Sequence, residues 1–199
     1  MIIVFLSGFT GSGKEFLASE LVEKHGFMRL AFTDAVKSEV AKHYRIPLRL
    51  CNNKTALLFA DSKRKVPSKL SGIIKRLVPT ISMAQLLAMH AADRRRTDDF
   101  VYSRALFKRI IALPQSQFPR HSQRIVIPDW QYPADFTYIA QLAEKTVTCM
   151  VDRFSLPAVH DPSEYALERF PFDLVITNRG SIEEFREKVE RDLLPLCRL

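Results

Sequence analysis

Residues 8–15 read GFTGSGKE, three glycines and a lysine directly after the apolar run MIIVFLS. This is one letter short of the phosphate-binding pattern G-x-x-x-x-G-K-[ST]. In that pattern the glycines let successive backbone N–H groups converge on one phosphate. The helix that follows adds the positive end of its dipole, and the lysine reaches the β- and γ-phosphates. Here Gly8, Gly11 and Gly13 supply the permissive backbone, Ser12 another loop N–H, and Lys14 the charge. Glu15 stands where a hydroxyl normally holds magnesium. A carboxylate is also a hard oxygen ligand, but it repels phosphate unless a cation lies between them. Glu15 therefore predicts a tighter dependence on magnesium, with Asp129 as the second protein ligand.

Such a loop works only between a strand and a helix, and the flanks fit. IIVFLS (2–7) is a continuous apolar run, as a strand covered on both faces requires. EFLASELVEKHG has helical spacing and stops at Gly26. Further strands are expected at 27–32, 124–129, 146–151 and 172–177. Helices are expected after Thr33 or Asp34, from Ser82 to about Ala92, over 97–113, 134–145 and 161–170, and from Ser181 onward. Ser82/Gln85 and Ser181/Glu184 have capping-box spacing. The alternation predicts an α/β fold: a single domain, 1–199, with a five-stranded, mostly parallel sheet flanked by helices. Ligands of such sheets bind at the C-terminal strand ends, where Gly8–Glu15, Asp129 and Asn178 fall. Residues 46–80 show no convincing period and contain the basic run SKRKVPSK.

Bulk properties agree with an anion-binding protein. The net charge is +8, apolar residues make up 47% and charged residues 26% of the 199. Cys51, Cys149 and Cys197 lack metal or disulfide spacing, which points to a reducing compartment. MIIVFL has no basic flank and is read as a strand rather than a signal peptide. No apolar run approaches the ~20 residues of a membrane helix.

Several segments in order resemble one family. FLSGFTGSGKE, GFMRLAFTDAVKSEVA, AQLLAMHAADRRRTDDFVYSRAL, VIPDWQYPAD and RFSLPAVHDPSEYALERFPFDLVITNRGSIEEF resemble the deoxynucleoside monophosphate kinases of bacteriophages and large DNA viruses. They also resemble the related animal-type phosphomevalonate kinases. Many members have an acidic residue after the loop lysine. The resemblance covers most of the chain except about 46–80. It implies a P-loop kinase fold, with an acceptor-binding helical part near 33–115 and a lid near 153–170. It implies ATP and magnesium as cofactors and a (deoxy)nucleoside monophosphate as acceptor. A cytoplasmic location, in a cell or a virus-infected host cell, goes with it, and a homodimer is compatible.

The roles then fall as follows. ATP sits on Gly11–Glu15, with Phe16 continuing the cradle, and Asn178 meets the adenine or else serves plain turn chemistry. Asp129 ends its strand in the manner of a magnesium-orienting carboxylate, against the alternative of a helix cap. Arg153 resembles a lid arginine that folds onto the phosphates. Lys37 is a candidate for the acceptor phosphate, against a solvated surface lysine. Arg95 is favoured among Arg94, Arg95 and Arg96 for the same task, against a solvated basic turn. Trp130 stacks on the acceptor base or belongs to the core or its rim. Gln131 replaces an arginine expected two residues after the strand's aspartate, which leaves the acceptor open. His121 and His160 are read as surface or helix-start residues. Competing readings are a kinase of another small phosphate such as phosphomevalonate, a nucleic-acid-binding P-loop protein using KRKVPSK, and a nucleotide binder without catalysis.

Overall fold

Six consecutive buried residues, Ile2–Ser7, form the first strand, β1. In the computed structural model, which describes residues 1–53, 57–59, 80–114, 123–153 and 165–198, β1 is hydrogen-bonded on both sides by parallel partners. These are β5 (Arg124–Ile127) and β6 (Lys145–Asp152). The sheet is completed by β2 (Met28–Arg29) beyond β5 and β7 (Leu174–Thr177) beyond β6, giving the order β2-β5-β1-β6-β7 with every pair parallel. A strand buried on both faces and both edges has no polar side to show, so its sequence is an unbroken apolar run.

Alternate residues of β1 serve opposite faces. Ile2, Val4 and Leu6 join Leu17, Ala18 and Leu21 of helix α1 (Lys14–His25), and Phe185 of helix α7 (Ile182–Lys188), in one core cluster. On the other face Phe5 meets Trp130 and Phe136 edge-on, at centroid distances of 5.5 and 5.2 Å. α1 runs between two left-handed glycines, Gly13 as N-cap and Gly26 as C-cap. Between α1 and α7 lie α2 (Phe32–His43), α3 (Leu48–Cys51), α4 (Met83–Thr97), α5 (Val101–Ile111) and α6 (Pro133–Ala140). The Ser82/Gln85 capping box at the start of α4 is complete, and Ser181 caps α7 by accepting from Glu184 N–H at 3.2 Å. α7 does not run on to Pro195 as one helix; it widens into a π turn, Val189–Leu193, and ends in a 3-10 turn, Leu194–Cys197.

The chain forms two compact units, Met1–Phe32 with Ser103–Leu199, and Thr33–Tyr102. The second holds most of α2, then α3, α4 and a two-stranded antiparallel pair, β3 (Leu57–Phe59) with β4 (Thr80–Ser82). Within it, Glu39 Oε2 accepts from His90 Nε2 and Tyr102 Oη, each at 3.3 Å, and faces Arg94 Nε at 3.4 Å. The basic run at 62–69, His121 and His160 lie outside the described residues. Of the helix expected over 161–170, residues 161–164 lie outside them too, and 165–169 form turns. All three cysteines are buried and free. Among the described residues no helix is long and apolar enough to cross a membrane.

Glu20, on the inner side of α1, binds Arg186 through both carboxylate oxygens (3.1 and 2.9 Å) and Lys24 at 2.7 Å. Hydrogen bonds from Arg186 first, then from Lys24, pull its pKa from the ordinary 4.5 down to about 2. A depressed folded-state pKa stabilises the fold above the unfolded value and loses that contribution as pH falls through the folded one. Glu20→Gln is therefore expected to flatten the acid arm of the melting-temperature profile between pH 4.5 and about 2. A profile in which wild type and variant fall in parallel would remove Glu20 from the acid response.

Candidate functional site: a phosphate loop at the end of the central strand

β1 ends at Ser7 and α1 begins at Lys14. The turn between them is possible because Gly8, Gly11 and Gly13 have φ of 140°, 85° and 107°. Two of these positions also exclude a side chain by contact. A Cβ on Gly8 would lie 2.3 Å from the Val151 carbonyl oxygen and 2.8 Å from Ser12 Oγ, and one on Gly13 would lie 2.5 Å from Asn178 Nδ2. The loop is thus seated against the ends of β6 and β7. Ser12 is fully buried, and its Oγ has no hydrogen-bond partner among the described residues.

Lys14 curls back over this loop. Its Nζ donates to the Gly8 carbonyl at 2.7 Å and to the Phe9 carbonyl at 3.0 Å. A cation is therefore stationed at the dipole-positive end of α1, beside backbone amides in left-handed turns, an arrangement whose field favours negative charge. From the β6 end, Arg153 Nη1 donates to the Gly11 carbonyl at 3.4 Å. Arg153 is the last described residue before 154–164, so the expected lid is described only at its root.

Asn178 follows β7. Its backbone N–H donates to the Asp152 carbonyl and its Nδ2 to the Ser12 carbonyl, both at 2.7 Å. The side-chain amide thus grips the loop itself. Next to it, Arg179 pairs with Asp152 at 3.2 Å. Asn178→Ala removes the donor to a loop carbonyl and is expected to cost about 1 kcal/mol of stability. Urea unfolding checks this; an unchanged midpoint would mean that the loop is held without the amide.

The two expected metal ligands are both engaged by protein donors. Glu15 faces Arg29, the last residue of β2, with three nitrogen–oxygen contacts of 3.2 to 3.4 Å. Asp129 Oδ1 accepts from the Phe32 N–H at 3.1 Å and so caps α2, which begins at Phe32 rather than after Thr33 or Asp34. Among the described residues no three of His, Cys, Asp and Glu gather in one place. In this arrangement the donor set does not fit a resident metal ion.

Trp130 needs a correction. It is 1% exposed, with ring centroids of Phe5, Phe136, Phe170 and Phe172 between 4.7 and 5.7 Å away, and its Nε1 donates to the Tyr132 carbonyl at 2.8 Å. It is a core residue and has no face to offer a base. Gln131 beside it is half-buried. Phe16 packs on Phe185 at 6.1 Å, under the Arg186 guanidinium.

Lys37 and Arg95 belong to the second unit. Lys37 is half-buried on α2. Arg95 donates to the Asp99 carbonyl at 2.9 Å and lies over the Tyr102 ring at 5.4 Å, while Arg94 is the one that pairs with Glu39. Arg29 was not singled out from the sequence. An arginine inside FMRLAF, a segment otherwise fit for burial, was the signal that could have marked it.

No protein-family model and no curated protein matches the sequence. Solved structures do resemble it in outline. Dephospho-CoA kinase from Campylobacter jejuni is 10% identical, with 98% of each chain covered and a TM-score of 0.49. TT1252 from Thermus thermophilus is 18% identical, covering 98% of this chain and 97% of that one, at 0.47. The APS kinase CysC of Mycobacterium tuberculosis is 15% identical, covering 97% and 96%, at 0.39. At such identities and scores these likenesses carry none of the functional reading, which stands on the residues of the chain itself.

Proposed function

We propose that the protein is an ATP-dependent phosphotransferase whose acceptor is a small phosphorylated molecule, with a (deoxy)nucleoside monophosphate as the leading candidate. The observation that carries this reading is the placement of Lys14. Its ammonium group sits 2.7 and 3.0 Å from two loop carbonyls, within a strand–loop–helix turn that ends the central strand of a parallel sheet. Phosphoryl transfer needs positioning and cations rather than covalent chemistry. An acceptor phosphate oxygen attacks the γ-phosphorus of ATP, the bond to the β,γ-bridging oxygen breaks, and ADP leaves.

In this scheme the loop amides and the α1 terminus hold the β-phosphate, while Lys14 leaves its two carbonyls to follow the charge onto the γ-phosphate. Arg153 approaches from the β6 side, and Asn178 keeps the Ser12–Gly13 peptide in place. Magnesium enters as part of the nucleotide substrate and supplies charge neutralisation between phosphate oxygens. Lys37 and Arg95 are the residues assigned to the acceptor phosphate.

A second acceptor class has a specific observation in its favour. With Trp130 in the core, the one tryptophan cannot serve as a stacking platform, which weakens the case for a base and admits a non-nucleotide phosphate such as phosphomevalonate. The test is ADP formation from ATP and magnesium with each common ribo- and deoxyribonucleoside monophosphate, and with phosphomevalonate. Turnover with one monophosphate supports the leading reading, and turnover with phosphomevalonate alone supports the second. ATP binding without turnover on any acceptor would sink both and leave a non-catalytic nucleotide binder. Steeply salt-dependent nucleic-acid affinity without turnover would favour the nucleic-acid reading.

A further inference from the structure

An acidic residue at position 15 is a problem that the chain has to solve. Glu15 occupies the first turn of α1, whose positive dipole end serves the same loop that must take a phosphate. Carboxylate and phosphate compete for that end and repel each other. A bridging metal would be one solution, but the Glu15 carboxylate is already faced by the Arg29 guanidinium through both of its oxygens.

Arg29 is well placed for this. It is the C-terminal residue of β2, paired in register with Val126 of β5, and so stands at the ligand-binding edge of the sheet. The next residue, Leu30, continues the ladder by donating to the Val126 carbonyl at 3.1 Å. The Asp129 cap on Phe32 N–H then fixes the chain three residues on. Backbone on both sides of Arg29 is thereby held, while its side chain, paired with Glu15, stays about one-third exposed. A guanidinium keeps its charge at any working pH and presents several donors at once, so it can hold Glu15 and still turn a donor toward a phosphate.

We propose that Arg29 is the built-in counter-cation of the phosphate loop. Glu15 positions Arg29 instead of ligating a metal, and the pair lets the loop hold a nucleotide polyphosphate without metal at position 15. This rests on the reading of the loop as a nucleotide site. It reverses the expectation from sequence that Glu15 tightens the dependence on magnesium.

The test is equilibrium binding of the fluorescent analogue mant-ATP to wild type, Arg29→Ala, Arg29→Lys and Arg29→Ala/Glu15→Ser, each in EDTA and in excess magnesium. Wild type is expected to bind in EDTA within about threefold of its affinity in magnesium. Arg29→Ala exposes the carboxylate to the phosphates and is expected to weaken binding in EDTA by about ten- to a hundredfold, as for unit charges a few ångströms apart near a surface. Magnesium should recover most of that loss. Arg29→Lys keeps the charge and most of the metal-free affinity, and removing Glu15 in the double variant restores it. The pair is exposed, so the variants keep the fold; a thermal melt verifies this.

Equal binding of wild type and Arg29→Ala in EDTA would overturn the proposal. So would a wild type that binds only in magnesium, or a double variant no better than Arg29→Ala. If wild type fails to bind mant-ATP in magnesium as well, the nucleotide reading itself falls, and the two failures are distinct.

Discussion

Lys14→Ala is expected to lower kcat/KM by about a thousandfold, roughly 4 kcal/mol of transition-state stabilisation, with most of the loss in kcat. In the structure the ammonium group is parked on two carbonyls of its own loop, at 2.7 and 3.0 Å. Those contacts neutralise nothing, since carbonyls carry only partial charge, so a developing phosphate charge is the better partner. In the proposed phosphoryl transfer, charge that grows on the β,γ-bridge draws Lys14 more strongly than the ground-state nucleotide does, and this difference raises kcat rather than lowering KM. Lys14→Arg should recover little. A planar fork on a longer reach cannot sit between two carbonyls and a phosphate as a compact point charge can. Losing Lys14 also strips a donor from two half-buried carbonyls, which costs about 1 kcal/mol of stability. Steady-state kinetics with a melting curve separate the two effects. If turnover survives in Lys14→Ala, the loop is not the donor site.

The strands were legible because burial on both faces leaves no room for polar letters. IIVFLS, RIVI and the run around Cys149 could hardly be anything else in a chain that alternates with amphipathic segments. Turn chemistry was legible too: Gly26 caps α1 with φ 68°, and Ser82 and Gln85 close their box. What failed were relations between distant positions. The start of α2 was placed after Thr33 or Asp34 because both are good local caps, yet the cap comes from Asp129, 97 residues away. A strand-end carboxylate such as Asp129 likewise gives no local sign of which N–H its Oδ1 will meet. Glu15 and Arg29 are 14 residues apart, on a helix and a strand, and no periodicity links them. Asn178 fits both an adenine contact and a turn; only the fold brings its amide to the Ser12 carbonyl. Residues 57–59 and 80–82 form a ladder whose partners are separated by the stretch with no readable period.

Trp130→Ala is expected to be the most destabilising single change named here, by about 3–5 kcal/mol, against the 5–15 kcal/mol that holds a typical domain together. The ring is 1% exposed and touches Phe5 of the central strand together with Phe136, Phe170 and Phe172. Truncation would leave a cavity walled by aromatic rings, which cannot collapse onto each other without losing their edge-on contacts. Trp130→Phe keeps a ring but drops the Nε1 bond to the Tyr132 carbonyl, and should cost about 1–2 kcal/mol. Urea unfolding at unchanged m measures both. The sole tryptophan also reports on its own surroundings. If Trp130 stacked on an acceptor base, its emission would quench as the acceptor binds, and its loss would raise the acceptor KM without unfolding the protein. Burial predicts the reverse: emission from an apolar site, no quenching by the acceptor, and a stability loss that reaches the loop through Phe5, on the strand that ends one residue before Gly8.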